Sequence, residues 1–143
     1  MTAVTIYHNP ACATSRNVLA VIEAAGYQVE VIDYLTTGWQ RDQLKALLAT
    51  AGLTPRSALR ETKSPAAELG LLDPSVDDES LLEAMLAHPV LVNRPIVVTS
   101  KGTALCRPSE AILDLLDRWP PGPVFKEDGD MIIDAAGNRP ASA

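Results

Sequence analysis

Residues 4–34 read VTIYHNPACATSRNVLAVIEAAGYQVEVIDY, and this stretch predicts a strand, a loop, a helix and a second strand. β-Branched and aromatic side chains at 4–7 favour the first strand, which stops at Asn9. Apolar residues then recur at helical spacing until Gly26, and residues 29–34 predict the second strand. A strand, a helix and a strand in this order favour two parallel strands joined by a right-handed crossover.

The middle of the chain predicts helices rather than strands. Leucines at helical spacing indicate amphipathic helices over residues 41–51 and 78–86. Prolines and glycines between these two helices break the chain into short pieces. We therefore expect a helical insertion at about residues 38–90 within an α/β chain.

The last third predicts a hairpin, a helix and a tail. Two short β-rich runs, 96–99 and 103–106, predict a hairpin in the same sheet as the first strands. A last helix is expected to begin at Pro108. The tail, at about 120–143, is expected to be mostly irregular. Since the length suits one hydrophobic core, we expect a single domain over residues 1–143.

Composition excludes several classes of protein. The net charge of −6 argues against a broad basic surface for nucleic acid. No apolar run approaches the ~20 residues that span a bilayer, and residues 1–9 lack the pattern of a secretory signal. Cys12 and Cys106 are a poor disulfide framework. We therefore expect free thiols, no membrane association and a cytoplasmic location.

Cys12 is the candidate nucleophile. It lies in the segment HNPACATSRN, residues 8–17, between the first strand and the start of the first helix. Helix N-termini present unpaired amides and a partial positive charge, which favour a thiolate and bind anions. Cysteines in such places have pKa values of about 3.5 to 7.5, against ~8.5 for a free cysteine. Arg16 and His8 would add positive charge, and Ser15 would donate a hydrogen bond to the sulfur.

Simpler structural roles compete with these interpretations. A free cysteine such as Cys12 is often only a small buried residue, and Ser15 fits a helix cap. A loop histidine such as His8 also fits a strand end. Cys106, at the end of a predicted strand, is expected in the core. Two cysteines and two histidines without zinc-like spacing predict no metal site.

Three arginines, Arg60, Arg94 and Arg107, are candidates for binding a tetrahedral oxyanion. A planar guanidinium binds such an anion through two parallel hydrogen bonds and stays charged at every working pH. Arg94 directly precedes Pro95 at the entry to one predicted strand, and Arg107 directly precedes Pro108 at the exit of the next, which holds both at stiff junctions. For any one of the three, a solvated surface position is the alternative. Pro95 is also a candidate for a cis peptide bond.

Several ordered motifs resemble those of the glutaredoxin-linked arsenate reductases, a family with a thioredoxin-like fold. The motifs are HNPACATSRN at 8–17, LVNRP at 91–95, RPIVVT at 94–99, LCRPSE at 105–110 and KEDG at 126–129. They extend over nearly the whole chain. The resemblance implies an α/β, thioredoxin-like mixed sheet with flanking helices and a helical insertion in the middle of the chain.

The same resemblance implies a reaction and a set of site residues. The reaction is the reduction of arsenate to arsenite, with glutathione as co-substrate, glutaredoxin as protein partner and no bound cofactor. The implied residues are a catalytic Cys12, then Arg60, Arg94 and Arg107 for anion binding, and His8, Asn9 and Ser15 for tuning the thiolate. Ala13 departs from the glycine usual after the nucleophile. Its Cβ would narrow the approach of an oxyanion to the loop amides and affect the rate.

Ser15 also bears on the alternative functions. A Cys-x-x-Cys pair closes its own disulfide, whereas Ser15 leaves Cys12 without a local resolving thiol, so an external thiol must complete a redox cycle. Proteins of similar fold act as redox-sensitive transcriptional regulators that bind RNA polymerase, usually through such a pair. Ser15 disfavours that function here. A monothiol glutathione-dependent oxidoreductase without arsenate activity is the other alternative.

Overall fold

The computed structural model of the protein describes residues 3–140. These residues belong to two compact units. The first unit combines the chain up to Asp33 with the chain from Arg94 onward, and the second is Tyr34–Asn93. The expectation of a single domain stays a prediction. None of the helices within residues 3–140 is long and apolar enough to cross a membrane.

The first unit is built on a four-stranded mixed sheet of order β2-β1-β3-β4. β1 (Ala3–His8) pairs in parallel with β2 (Gln28–Asp33), and α1 (Ala13–Ala24) connects them. On its other side β1 pairs antiparallel with β3 (Ile96–Thr99), which forms a hairpin with β4 (Gly102–Leu105). The predicted strand–helix–strand unit and the predicted hairpin are therefore confirmed.

The first helix, α1, is fixed on the sheet by one apolar face. Val18, Val21 and Ile22 are fully buried, because their spacing of three and four residues puts them on the side that faces the core. Burying each such side chain stabilises the fold by about 1.5 to 3 kcal/mol. The helix stops before Gly26, whose φ of +83° is left-handed and suits glycine. This packing fixes the position of Cys12 at the N-terminal end.

The end of the chain differs from the sequence-based expectation in two places. Ser109–Leu115 form a 3-10 helix where a regular helix was expected from Pro108. In the tail, β5 (Val124–Phe125) pairs antiparallel with β6 (Met131–Ile133). The last two residues of β6 are buried in the same core as the apolar face of α1. The tail is thus attached to the first unit by its own apolar residues.

The second unit is mainly helical, as expected for the middle of the chain. Its elements are α2 (Tyr34–Thr37), α3 (Arg41–Thr50), α4 (Pro55–Ala58), α5 (Asp78–Ala87) and a 3-10 turn at Pro89–Leu91. α3 and α5 match the two amphipathic helices predicted from leucine spacing. The Asp77 carboxylate caps α5 by accepting a hydrogen bond from the Ser80 backbone N–H at 2.8 Å.

Candidate active site

Cys12 lies at the N-cap of α1, at the end of a short loop that follows β1. Its backbone N–H donates to the Asn9 carbonyl at 3.0 Å, and its carbonyl accepts from the Arg16 N–H at 3.0 Å. The Asn9 side-chain oxygen accepts a hydrogen bond from the Ala11 N–H at 2.9 Å, and this bond stabilises the turn of the loop. Cys12 is therefore held at the amide-rich start of the helix, where a thiolate is stabilised.

The environment of Cys12 lowers its pKa to about 7. Burial alone raises the pKa, because it disfavours the charged form. The Ser15 backbone N–H and the side chains of Arg94 and Arg107 oppose burial, and the charge of Arg94 adds to them. Among the groups that lower the pKa, the Ser15 backbone N–H has the largest effect. At neutral pH an appreciable fraction of Cys12 is therefore expected in the reactive thiolate form.

Arg94 and Arg107 meet beside Cys12. The Arg107 Nη1 lies 3.6 Å from the Cys12 sulfur and donates a hydrogen bond to the Arg94 carbonyl at 3.0 Å. Arg94 itself is 5% exposed. Both arginines precede cis-prolines, Pro95 and Pro108, so the cis bond suggested for Pro95 is present. Two guanidinium groups at one sulfur form a positively charged site suited to an oxyanion.

The sheet register explains why these residues converge. Ile96 pairs with Leu105 across the hairpin, so the residues two places outside the pair, Arg94 and Arg107, leave it at the same end. Tyr7 of β1 pairs with Ile96 on the other side. The loop that carries the nucleophile therefore leaves β1 at this same edge of the sheet.

Arg60 lies in the second unit, just after α4. Its backbone N–H donates to the Leu91 carbonyl at 2.8 Å, and its carbonyl accepts from the Ser64 hydroxyl. These bonds fix the backbone on which the side chain is carried. The assignment of Arg60 to anion binding stays a prediction.

His8, Asn9 and Ser15 form a buried network next to the nucleophile. The Ser15 Oγ lies 2.6 Å from the His8 Nδ1 and accepts a hydrogen bond from the Asn9 N–H at 3.1 Å. The hydroxyl expected to donate to the sulfur is thus directed to His8, and it is the Ser15 backbone that acts on Cys12. The network orders the start of α1 on which the sulfur is carried.

His8 adds little positive charge to the site at neutral pH. Burial is the main cause that lowers the His8 pKa. The negative charges of Asp33 and Glu23 act in the opposite direction and raise the His8 pKa, whereas the positive charge of Arg16 lowers it further. A neutral His8 is a hydrogen-bond partner for Ser15 rather than a source of charge.

Cys106 has the properties of a core residue, as expected. It is fully buried, and burial together with the nearby Asp114 charge raises its pKa to about 12. Both cysteines are free thiols. Among residues 3–140, no group of three or more histidine, cysteine, aspartate or glutamate side chains is placed to hold a metal ion.

The rate of Cys12 alkylation is expected to rise with pH around a midpoint near 7. The thiolate is the reacting form, so the rate should fall about tenfold for each pH unit well below the midpoint and level off above it. Iodoacetamide labelling followed by peptide mass spectrometry measures each cysteine separately. Cys106 is the internal control and should stay unlabelled in the folded protein. A Cys12 midpoint at or above pH 8.5 would contradict the lowered pKa.

A four-stranded mixed sheet with an ionisable cysteine at the start of its first helix is typical of thiol-dependent enzymes of the thioredoxin-like fold. Comparison with known proteins narrows this class. The model of the ArsC family matches residues 7–115, and the chain belongs to this family.

Named relatives and a solved structure agree with this assignment. Arsenate reductase ArsI2 of Synechocystis sp. is 64% identical, over 95% of this chain and 97% of its own. The arsenate reductase of Escherichia coli K12 is 48% identical, over 97% of this chain and 99% of its own. Among solved structures, the arsenate reductase from Vibrio cholerae is 40% identical with a TM-score of 0.75, covering 80% of this chain and 98% of that one. The expected thioredoxin-like fold is confirmed.

Proposed function

We propose that this protein reduces arsenate to arsenite, with Cys12 as the nucleophile. The observation that carries the proposal is the meeting of a cysteine of pKa about 7 with Arg94 and Arg107 in a member of the ArsC family. Arsenate is the substrate named for the relatives that are 48 to 64% identical to this chain. The thiolate supplies a nucleophile for arsenic, and the guanidinium groups supply positive charge for the oxyanion.

In the first step the Cys12 thiolate attacks arsenic and forms a sulfur–arsenic bond. One arsenate oxygen takes up protons and leaves as water, so arsenic is still As(V) in the adduct. Arg107, whose Nη1 lies at the sulfur, and the buried Arg94 balance the negative charge of the oxyanion. Arg60 is proposed as the third anion-binding residue.

The thiolate-tuning residues prepare this step. Asn9 closes the loop through its side chain, and Ser15 brings its backbone amide to the sulfur while its hydroxyl is held by His8. Ordering the loop before the substrate arrives lowers the cost of aligning the sulfur with arsenic. The three residues therefore act on the nucleophile rather than on arsenate.

The electrons come from outside the chain. The only other cysteine, Cys106, is buried with a high pKa, so it is a poor resolving thiol for Cys12. We propose that glutathione displaces a second oxygen as water and forms an arsenic–sulfur bond. A glutaredoxin thiolate then takes the glutathionyl sulfur, leaving two electrons on arsenic, which becomes As(III). Hydrolysis releases arsenite and regenerates Cys12. Reduced thiols of this kind fit a cytoplasmic location.

A coupled assay tests the proposal. NADPH oxidation is followed with arsenate, glutathione, glutaredoxin and glutathione reductase, and arsenite is quantified directly. Turnover should require arsenate and should stop when glutaredoxin is left out. Phosphate in place of arsenate serves as the control for a non-reducible oxyanion of similar shape. If the complete mixture forms no arsenite above the level without the protein, the proposed function is wrong.

A monothiol oxidoreductase is the second candidate, and the lone reactive thiol is the observation that favours it. Such an enzyme would reduce glutathione mixed disulfides and would need no oxyanion site. Truncating Arg107 to alanine would then reduce activity on a disulfide substrate only through the higher pKa of Cys12, and activity at a pH above that pKa would be nearly unchanged. Under the principal proposal, the same variant loses most of its activity toward arsenate. The two substrates assayed on one variant distinguish the functions.

A further inference from the structure

The KEDG turn, residues 126–129, has no part in the reaction steps above. Its first two residues nevertheless form ion pairs with residues close to the site. Glu127 pairs with Arg16, four residues after Cys12, and Lys126 pairs with Glu110, three residues after Arg107. Two neighbouring residues of the tail are thus connected to both parts of the site that carry its chemistry.

Arg16 joins the tail to the nucleophile loop. Its Nε and Nη2 donate to the two carboxylate oxygens of Glu127 at 2.7 and 2.9 Å. Its Nη1 donates to the Pro10 carbonyl at 2.7 Å, inside the loop that leads to Cys12. The Arg16 guanidinium, whose charge is expected to act near the sulfur, therefore connects the Glu127 carboxylate to the loop. A lysine could not make these three bonds together.

The tail is also attached through its backbone. The Glu127 N–H donates to the Asn17 side-chain oxygen at 3.0 Å, and Asn17 is buried on α1. Within the turn, the Lys126 N–H donates to the Asp130 carbonyl at 2.7 Å, and the Gly129 N–H donates to the Lys126 carbonyl at 2.9 Å. These two hydrogen bonds stabilise the turn independently of its contacts with the site.

The other contact is made by Lys126. Its ammonium lies 2.8 Å from a Glu110 carboxylate oxygen, and its side chain is only 16% exposed. Glu110 belongs to the 3-10 helix that begins directly after the Arg107–Pro108 junction. The backbone that carries Arg107 is therefore held by the same turn that holds the nucleophile loop.

We propose that the KEDG turn is a positioning clamp, which holds the Cys12 loop and the Arg107 junction together so that the sulfur and the guanidinium stay in contact. Its residues do not touch the substrate and act only through Arg16 and Glu110. The kinetic consequence of the clamp rests on the proposed arsenate reduction. The predicted effect of the clamp on the pKa of Cys12 is independent of that proposal.

When an ion pair of the clamp is removed, the lost negative charge and the lost positioning shift the pKa of Cys12 in opposite directions. Glu127 and Glu110 are both acidic, so removing either one by charge alone would stabilise the thiolate and lower the pKa of Cys12. Loosening the clamp lets Arg107 and the helix amides move away from the sulfur, which raises that pKa. The sign of the shift therefore distinguishes a clamp from a simple electrostatic effect.

The experiment uses Glu127→Ala and Glu110→Ala, with Asp114→Ala as the matched control. Asp114 pairs with Arg139 in the same part of the chain, so the control also removes one negative charge from an ion pair. The pH profile of Cys12 alkylation should shift to higher pH in the two clamp variants and stay in place in the control. For arsenate, kcat should fall about three- to tenfold with a smaller change in KM, because misplacement affects the reacting atoms.

Arg16→Lys supplies a second test that keeps the positive charge. It should raise the Cys12 midpoint as Glu127→Ala does. Thermal melting of every variant separates loss of fold from loss of position. The clamp is overturned if the alkylation midpoint falls or stays unchanged in either alanine variant, or if Asp114→Ala shifts it equally. A chain that shows the shifts but forms no arsenite would keep the clamp and reject the proposed function.

Discussion

Replacing Cys12 by serine is expected to abolish arsenate reduction, with a loss of at least about a thousandfold in kcat. The substitution keeps the size of the side chain at the N-cap of α1, so the fold should be preserved. A serine hydroxyl stays protonated in surroundings that bring a thiol to a pKa of about 7. Without an ionised sulfur, the proposed sulfur–arsenic bond should not form, and the proposed glutathione step would have no adduct to act on.

The measurement is arsenite formation in the coupled assay, with Cys106→Ala as the matched control. Cys106 is buried away from any reactive role and holds its proton, so its removal should leave most of the activity. Melting temperatures for both variants show whether the core is intact. A kcat of Cys12→Ser clearly above about one-thousandth of the wild-type value would remove the nucleophile from the mechanism. Loss of activity in a stable Cys106→Ala would do the same for the single-thiol scheme.

Arg94→Lys is expected to lower kcat/KM for arsenate by about 10- to 100-fold although the charge is kept. Arg94 is buried, and its side chain and charge both lower the pKa of Cys12. An ammonium offers a point charge where the guanidinium offers two parallel donors to an oxyanion. The variant should therefore lose both anion binding and part of the thiolate.

Steady-state kinetics and the alkylation profile separate these two effects. A rise in the Cys12 midpoint reports the lost stabilisation of the thiolate, and a rise in KM reports the lost anion contact. Arg139→Lys, on an exposed arginine paired with Asp114, is the control and should match wild type. Values of kcat/KM within twofold of wild type for Arg94→Lys would contradict the role of the planar group.

Much of the fold follows from local sequence patterns. The period of the apolar residues and the position of Gly26 define β1, α1 and β2, and they place Cys12 at a helix start. The 3-10 helix at Ser109–Leu115 was expected as a regular helix, because apolar residues three and four apart suit both forms. Strands of two and three residues in the tail are too short to show an alternating pattern.

The site was less accessible to sequence reasoning. Arg94 and Arg107 were named as candidates, but their convergence depends on the pairing of Ile96 with Leu105, and a slip of one residue would separate them. The bridge from Arg16 to Glu127 joins residues 111 positions apart, which no local pattern encodes. The KEDG motif was the available signal for that bridge, although it carried no indication of what the turn contacts.

The solitary reactive thiol has a consequence for oxidative damage. If a peroxide converts Cys12 to a sulfenic acid, the chain offers no second thiol to form a disulfide with it, because residue 15 is serine and Cys106 is buried in the core. Further oxidation to the sulfinic acid is irreversible for most proteins. Capping by an external thiol such as glutathione would preserve the sulfur. The tripeptide proposed to drive turnover would then also protect Cys12 during exposure to peroxide.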